Sequence, residues 1–448
     1  MTKTARATVN CYIDVTQLVH WDGKLTGIPR VMYELAVRFS NGENVHFVSW
    51  VKELKSYCEI NFPATLSTGS IVYIRANEEF APLPVDSGNT APRHASSQGA
   101  NANTKVLLKK AVNKAIDSTK RIRGGAPARI RHQIAKVRVH SYKRVTLATG
   151  DSVFIPWGEW WDKNFLSMVV AAHERGAKVS TIIHDVGPMI VPHLSGNSAS
   201  LADYCQTVVP VCDRVFVNSQ YTKKTLTGWL EERKLPIPPI SVFTIGDNFE
   251  HKIPKKPSAK AFVDSGLRGN DFILTVGTVE LKKNHIFYYY VYHLAAERGI
   301  DLPKLVIAGR LGHGTKTNVE LMTNDPFLKD KFVFLFDTSD EELAWLYANT
   351  KFSLFASFYE GWGMPLAESL FHGAPVISAR STSLVEIGDG IIDRFTQAST
   401  DECLAAIQTM LDEKYLADKK RKVATYTPAL WEDAYDTIAT KMIEEDML

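Results

Sequence analysis

Residues 352–378 read FSLFASFYEGWGMPLAESLFHGAPVIS. The apolar run at 352–355 has strand character, and Tyr359-Glu360-Gly361-Trp362-Gly363 breaks it into a loop. Apolar side chains at helical spacing follow from Pro365 to His372. Gly373 then stops that helix just before a second apolar run, Pro375-Val376-Ile377. The stretch therefore predicts a β-loop-α-β cassette, the unit of a parallel, doubly wound α/β sheet. In such a unit the loop meets the amino end of the helix, whose free N–H groups and dipole favour an anion. Gly361 and Gly363 let the backbone come close to a ligand. Glu360 and Glu368, eight residues apart, put one acid on the loop and another about two turns along the helix on the same side. Both are acceptors suited to hydroxyl groups along an extended ligand.

An acid, seven residues and a second acid in a glycine-bearing strand-to-helix turn resembles the E-x7-E motif of retaining family 4 glycosyltransferases of GT-B fold. The string YEGWGMPLAESLFHGAPVIS matches that family at almost every informative position. The resemblance implies two doubly wound Rossmann-like domains facing across a cleft. It also implies that Glu360 meets the donor sugar, that Glu368 meets the ribose, and that Gly361, Trp362, Gly363 and Met364 belong to the donor site. The plainer alternative is an amphipathic helix with two solvated glutamates. The place of Glu360 ahead of the helix, in a Gly-flanked loop, argues against it.

The same logic recurs upstream. A strand at 272–276 leads into a loop at 277–284 and a helix from His285. The resemblance makes Lys283 the lysine that grips the donor diphosphate, with Lys282 at a position where arginine is frequent. Thr278 stands where some members carry a second phosphate-binding arginine, so the grip is expected to rest on the lysines and backbone amides. Further on, the resemblance makes Leu335 and Phe336 walls of the nucleobase pocket; core packing is the alternative.

In the amino-terminal half, a strand at 9–14 and a loop at 16–26 precede a helix that starts at Gly27-Ile28-Pro29-Arg30 and runs to about Phe39. Pro29 suits a first helical turn. Gly23 and Gly27 are expected to let donor phosphates or the acceptor approach, and Arg30 either contacts them or faces solvent. A buried strand at 178–183 ends in His184-Asp185. The family has a histidine, often followed by Asp, at this point near the donor sugar, so His184 is expected to hold the sugar from the opposite domain. Trp157-Gly158-Glu159-Trp160-Trp161-Asp162 reads as a sugar platform or as core packing. Asn218-Ser219 reads as the cap of a helix over 221–232.

A chain of 448 residues calls for two domains. These are placed at 1–245, on the acceptor side, and at 246–426, on the nucleotide-sugar side, with 427–448 crossing back to the first domain. Hydrophobic content of 45% and charged content of 23% are ordinary for a soluble protein. No apolar run reaches the roughly 18 residues that span a bilayer, and the opening MTKTARATVNCYIDV lacks a signal-peptide core, so a cytoplasmic location is expected. Five scattered cysteines, with no C-x-x-C pair, predict neither disulfides nor zinc. The spacing near Gly27 is not G-x-G-x-x-G, which weakens a dehydrogenase reading, and no D-x-D triplet implies a metal-bound diphosphate.

An insertion is placed at about 84–145. Residues 84–104 are aperiodic, and 101–145 carry thirteen Lys or Arg against one acid, Asp117. Leu108, Val112, Ala115, Ile116 and Ile122 give this basic stretch an amphipathic helical pattern. A peripheral anchor on an anionic membrane surface, a nucleic-acid arm and a solvated insertion compete. The lack of aromatic interleaving puts nucleic acid last.

The function expected from the resemblance is transfer of a hexose, with retained configuration, to a growing lipid-linked cell-surface polysaccharide or O-antigen. The nearest donor is GDP-mannose, with no further cofactor and no metal; rhamnose, fucose, glucose and N-acetylhexosamine donors stay open. A nucleotide-sugar epimerase of the same fold and a non-catalytic nucleotide-sugar-binding protein at the membrane are the rivals.

Overall fold

The structure is a computed structural model that describes residues 9–21, 25–60, 62, 81–82, 141–195, 198–248, 253–254, 266–312 and 314–448. The aperiodic 84–104, the amphipathic basic pattern at 108–122 and Gly23 lie outside these residues.

Fifteen strands among the described residues form two sheets. The first contains β1 (Asn10–Asp14), β2 (Val45–Val51), β3 (Ser56–Ile60), β4 (Ala81–Pro82), β5 (Ser141–Val145), β6 (Asp151–Ile155), β7 (Lys178–Ile183), β8 (Arg214–Val217) and β9 (Ile240–Val242). Its order is β4-β5-β3-β2-β1-β6-β7-β8-β9. The run from β2 to β9 is parallel, with apolar strands buried on both faces. Beyond β2 the pairing turns antiparallel. Residues 141–145, expected to close the basic insertion, are therefore part of the sheet. Lys143 and Arg144 stay exposed on this strand, and Lys143 lies 3.2 Å from Glu59 directly opposite. A cross-strand ion pair of that kind lets a basic segment hold a sheet position without apolar alternation.

The second sheet contains β10 (Phe272–Val276), β11 (Lys304–Ala308), β12 (Phe332–Leu335), β13 (Ser353–Phe355), β14 (Val376–Ala379) and β15 (Asp393–Phe395). It is parallel throughout, in the order β12-β11-β10-β13-β14-β15. The sequence-deciding cassette is β13, a loop, the helix Met364–Phe371 and β14. Gly363 (φ 121°) caps the helix, Pro365 sits in its first turn, and Gly373 (φ 80°) follows its end. Leu366, Ala367 and Leu370 bury one face of the helix beneath the sheet.

The final helix, Trp431–Glu444, packs on the first domain. Trp431, Ala434, Ile438 and Met442 join Cys11, Ile13, Phe39 and Phe154 in one core, and Arg38 pairs with Glu432 at 2.6 Å. Each large side chain so buried contributes about 1.5–3 kcal/mol as an upper estimate. No helix among the described residues is long and apolar enough to cross a membrane.

Candidate active site

The carboxyl ends of the two sheets face each other across a cleft of about 440 Å³. Parallel strands direct their loops and following helix starts to one edge, so residues far apart in sequence converge there. From the second domain come Thr278, Lys282, Lys283, Glu360, Gly361, Trp362, Gly363, Met364 and Glu368. From the first come Gly27, Arg30, His184, Asp185 and Asn218.

Glu360 is the most constrained of these. Its Oε1 accepts from Lys283 Nζ at 2.5 Å and from Ser357 Oγ at 2.7 Å. Burial pushes its pKa up, but the charges of Lys283 and Lys282 outweigh that, and the carboxyl is held below its ordinary value. The backbone around it is pinned as well. Glu360 N donates to Thr382 Oγ1 (3.0 Å), and the Thr382 and Ser383 hydroxyls donate back to the Glu360 carbonyl (3.0 and 2.9 Å). Lys282 is held above its ordinary value: burial opposes its charge, but Asp185 of the first domain, Glu280 and Glu360 prevail.

Opposite stands His184, 5% exposed at the end of β7. Its Nε2 donates to the Pro156 carbonyl at 2.8 Å, which leaves Nδ1 as an acceptor, and Nδ1 is buried without a partner. Burial lowers its pKa to about 4, so the ring is neutral at pH 7. Gly361 packs so closely beneath it that a Cβ there would lie 2.4 Å from the His184 carbonyl oxygen.

At the other end of the cleft, Glu368 Oε2 accepts from Tyr347 Oη at 2.8 Å. Burial raises the Glu368 pKa, countered by Arg30 from the first domain. Arg30 thus faces the cleft rather than open solvent. Gly27 (φ 61°) caps its helix, Ile28–Phe39, in a conformation that favours glycine.

Two expectations differ from the structure. Leu335 does not line the cleft: strand alternation turns it into the core with Val306 and Leu346, and Phe336 forms the wall. The tryptophan loop also lies outside the residues lining the cleft. Trp157 and Trp160 pack against the two cores of the first domain, Trp161 is half exposed, and Asp162 caps the helix Lys163–Glu174 by accepting from Asn164 N at 2.9 Å.

Residues 259–426 match the sequence family described as glycosyl transferases group 1. This segment is a group 1 glycosyltransferase domain. The chain is 28% identical over 222 residues to the serotype-specific mannosyltransferase WbdA of Escherichia coli, an alignment covering 47% of this chain and 27% of that one. It is 27% identical over 216 residues to the MMP alpha-(1->4)-mannosyltransferase of Mycolicibacterium hassiacum, covering 44% and 51%. The chain thus spans from about a quarter to about half the length of these relatives. Sucrose-phosphate synthase from Thermosynechococcus elongatus superposes with a TM-score of 0.57 at 15% identity, over 98% of each chain, and the two-domain fold is GT-B.

Within the glycosyltransferase domain, the expected donor-site residues other than Leu335 come together in the cleft, with Gly27 and His184 facing them from the first domain. The sequence reading missed Thr382 and Ser383. Their signal was a run of three hydroxyl residues, Ser381-Thr382-Ser383, one residue beyond the end of β14. It read Asn218-Ser219 together as a helix cap; Ser219 does cap, accepting from Thr222 N at 3.0 Å, while Asn218 lines the cleft.

Proposed function

We propose that the protein is a retaining, metal-independent glycosyltransferase that moves mannose from GDP-mannose to a growing, lipid-linked cell-surface polysaccharide. The observation that carries this reading is the opposed placement, within one cleft, of Glu360 with its two lysines and the neutral His184. Kinship with proteins described as mannosyltransferases favours the sugar. Asp337 and Asp340 line the cleft beside Phe336. Guanine presents adjacent N–H donors that a carboxylate accepts, which favours GDP over UDP.

The chemistry follows from the charges. The donor diphosphate lies against Lys283, Lys282 and the amino end of the helix Met364–Phe371, where cations and free N–H groups stabilise the charge that develops as it leaves. Glu360 accepts from a sugar hydroxyl, and Lys283, with three N–H donors, serves both Glu360 and phosphate. The acceptor oxygen attacks the anomeric carbon from the face that the diphosphate leaves. The new glycosidic bond forms as the sugar–phosphate bond breaks, and the acceptor's proton passes to a phosphate oxygen of the leaving group. The basic segment ahead of β5, residues 101–140, would bring the enzyme to the anionic cytoplasmic face of the membrane, where a lipid-linked acceptor resides. Deleting 101–140, which leaves β5 in place, should then abolish binding to anionic liposomes, and unchanged binding would end that part of the reading.

The deciding experiment incubates purified protein with GDP-mannose, dTDP-rhamnose, UDP-glucose and UDP-N-acetylglucosamine and scores released nucleotide, with and without a lipid-linked acceptor extract. Release from GDP-mannose alone, lost in Glu360→Ala, is the expected result. Release from another donor overturns the sugar; no release from any, with nucleotide still bound, overturns the transferase reading.

A further inference from the structure

The register of β7 and β8 pairs Ile183 with Val217, so the next residues, His184 and Asn218, stand side by side at the carboxyl edge of the first sheet. Both line the cleft opposite Glu360. Each also carries a buried acceptor atom that nothing satisfies, Nδ1 of His184 and Oδ1 of Asn218. The two residues are only 5% and 3% exposed. A buried acceptor without a donor is destabilising, and two adjacent ones on the wall of a cleft need an explanation that packing does not provide. The helix cap does not supply it, since Ser219 does that work.

We propose that Asn218 contacts the transferred sugar, forming with His184 a pair of acceptors that take two neighbouring hydroxyl groups of the hexose. This rests on the reading of the cleft as a nucleotide-sugar site. A hexose ring offers hydroxyls on adjacent carbons, spaced for two acceptors on adjacent strands, which lie about 4.8 Å apart. The second torsion of asparagine is broad, so its amide turns toward the cleft at little cost. Glu360 takes hydroxyls from the second domain while His184 and Asn218 take them from the first, so the sugar is gripped only when both walls are in place. The nucleotide, by contrast, lies against the second domain and does not need Asn218.

The test separates sugar from nucleotide. Dissociation constants for GDP and GDP-mannose are measured by calorimetry on the full chain, for wild type, Asn218→Ala and the near-isosteric Asn218→Leu. Both variants should weaken GDP-mannose roughly three- to tenfold, the effect of one lost hydrogen bond, and leave GDP unchanged. Unchanged GDP affinity also shows that the variants fold. GDP-mannose analogues lacking one hydroxyl in turn provide the second measurement: the analogue that weakens wild-type binding through this contact should bind wild type and Asn218→Ala alike. If GDP-mannose affinity is unmoved in both variants, or falls in step with GDP, the assignment of Asn218 is overturned while the transferase reading stands. If wild type binds no nucleotide-sugar at all, both fall together.

Discussion

At the scale of single residues, Glu360 keeps its charge in a buried place because Lys283 touches it. Removing one partner of such a pair leaves an uncompensated charge, which costs more than the pair itself contributes. Lys283→Met should therefore lower the thermal midpoint and reduce donor turnover at least about a hundredfold, the size expected for loss of a charge-stabilising group. The double variant Lys283→Met/Glu360→Gln should regain the midpoint without regaining turnover. Full turnover in the single variant would remove Lys283 from the chemistry. His184 carries the pH prediction. Its folded pKa, about 4, lies below the ordinary 6.5 because burial disfavours the imidazolium. Its contribution to stability is complete above pH 6.5 and is lost as pH falls toward 4, because the unfolded chain takes up the proton first. Wild type should lose stability relative to His184→Gln across that window, by at most about 1.4 kcal/mol per pH unit. Parallel denaturant midpoints at pH 7 and pH 5 would refute this.

At the scale of elements, the loop carrying Glu360 is shaped from both sides. Thr382 holds it from below with φ 40°, a left-handed conformation that a β-branched residue rarely adopts, and its hydroxyl exchanges hydrogen bonds with the Glu360 backbone. Gly361 meets the first domain from above, with no room for a Cβ against His184 and Asp185. Gly361→Ala should thus keep nucleotide binding, which belongs to the second domain, while turnover drops by more than tenfold because the walls no longer meet at the right distance. Equal loss of both, or of neither, would show that this approach does not matter. The cassette itself was legible in residues 352–378, since glycine, proline and apolar spacing are local signals. The Thr382 support was not, because a run of hydroxyl residues does not say which backbone, here one 22 residues away, a hydroxyl will bond.

At the scale of the whole molecule, contacts outside the cleft also tie the two domains among the described residues. The Glu386 carboxylate of the second domain accepts from the first N–H groups of the helix Gln220–Glu232 in the first, at Gln220 N (2.8 Å) and Tyr221 N (2.7 Å). A negative group suits a helix amino end. The rings of Tyr221 and Tyr359 meet beside it, 5.8 Å apart. The start of the crossover is held at the edge of the second domain, where Tyr426 Oη donates to Asp247 and Asp247 N donates to the Ala429 carbonyl at 3.0 Å. Glu386→Ala should widen the distribution of interdomain distances seen by fluorescence transfer between labels on the two domains. Nucleotide affinity should stay unchanged. An unaltered distribution would deny Glu386 that role.

What the sequence determined by itself is the alternation of buried strands and helices and the glycine-lined turn at Glu360, carried by spacing within a few residues, while the part expected of Lys282 and Lys283 came from the family resemblance. It also misassigned Leu335, because strand alternation decides which of two apolar neighbours faces the cleft, and a one-residue shift reverses the answer. It read residues 141–145 as insertion because the partner that neutralises Lys143 lies 84 residues earlier, at Glu59. Only the tertiary structure set Asn218 beside His184 on the wall of the cleft and brought Arg30 toward Glu368. Those outcomes depend on strand order and on the meeting of two sheet edges, and neither is written in any local stretch of chain.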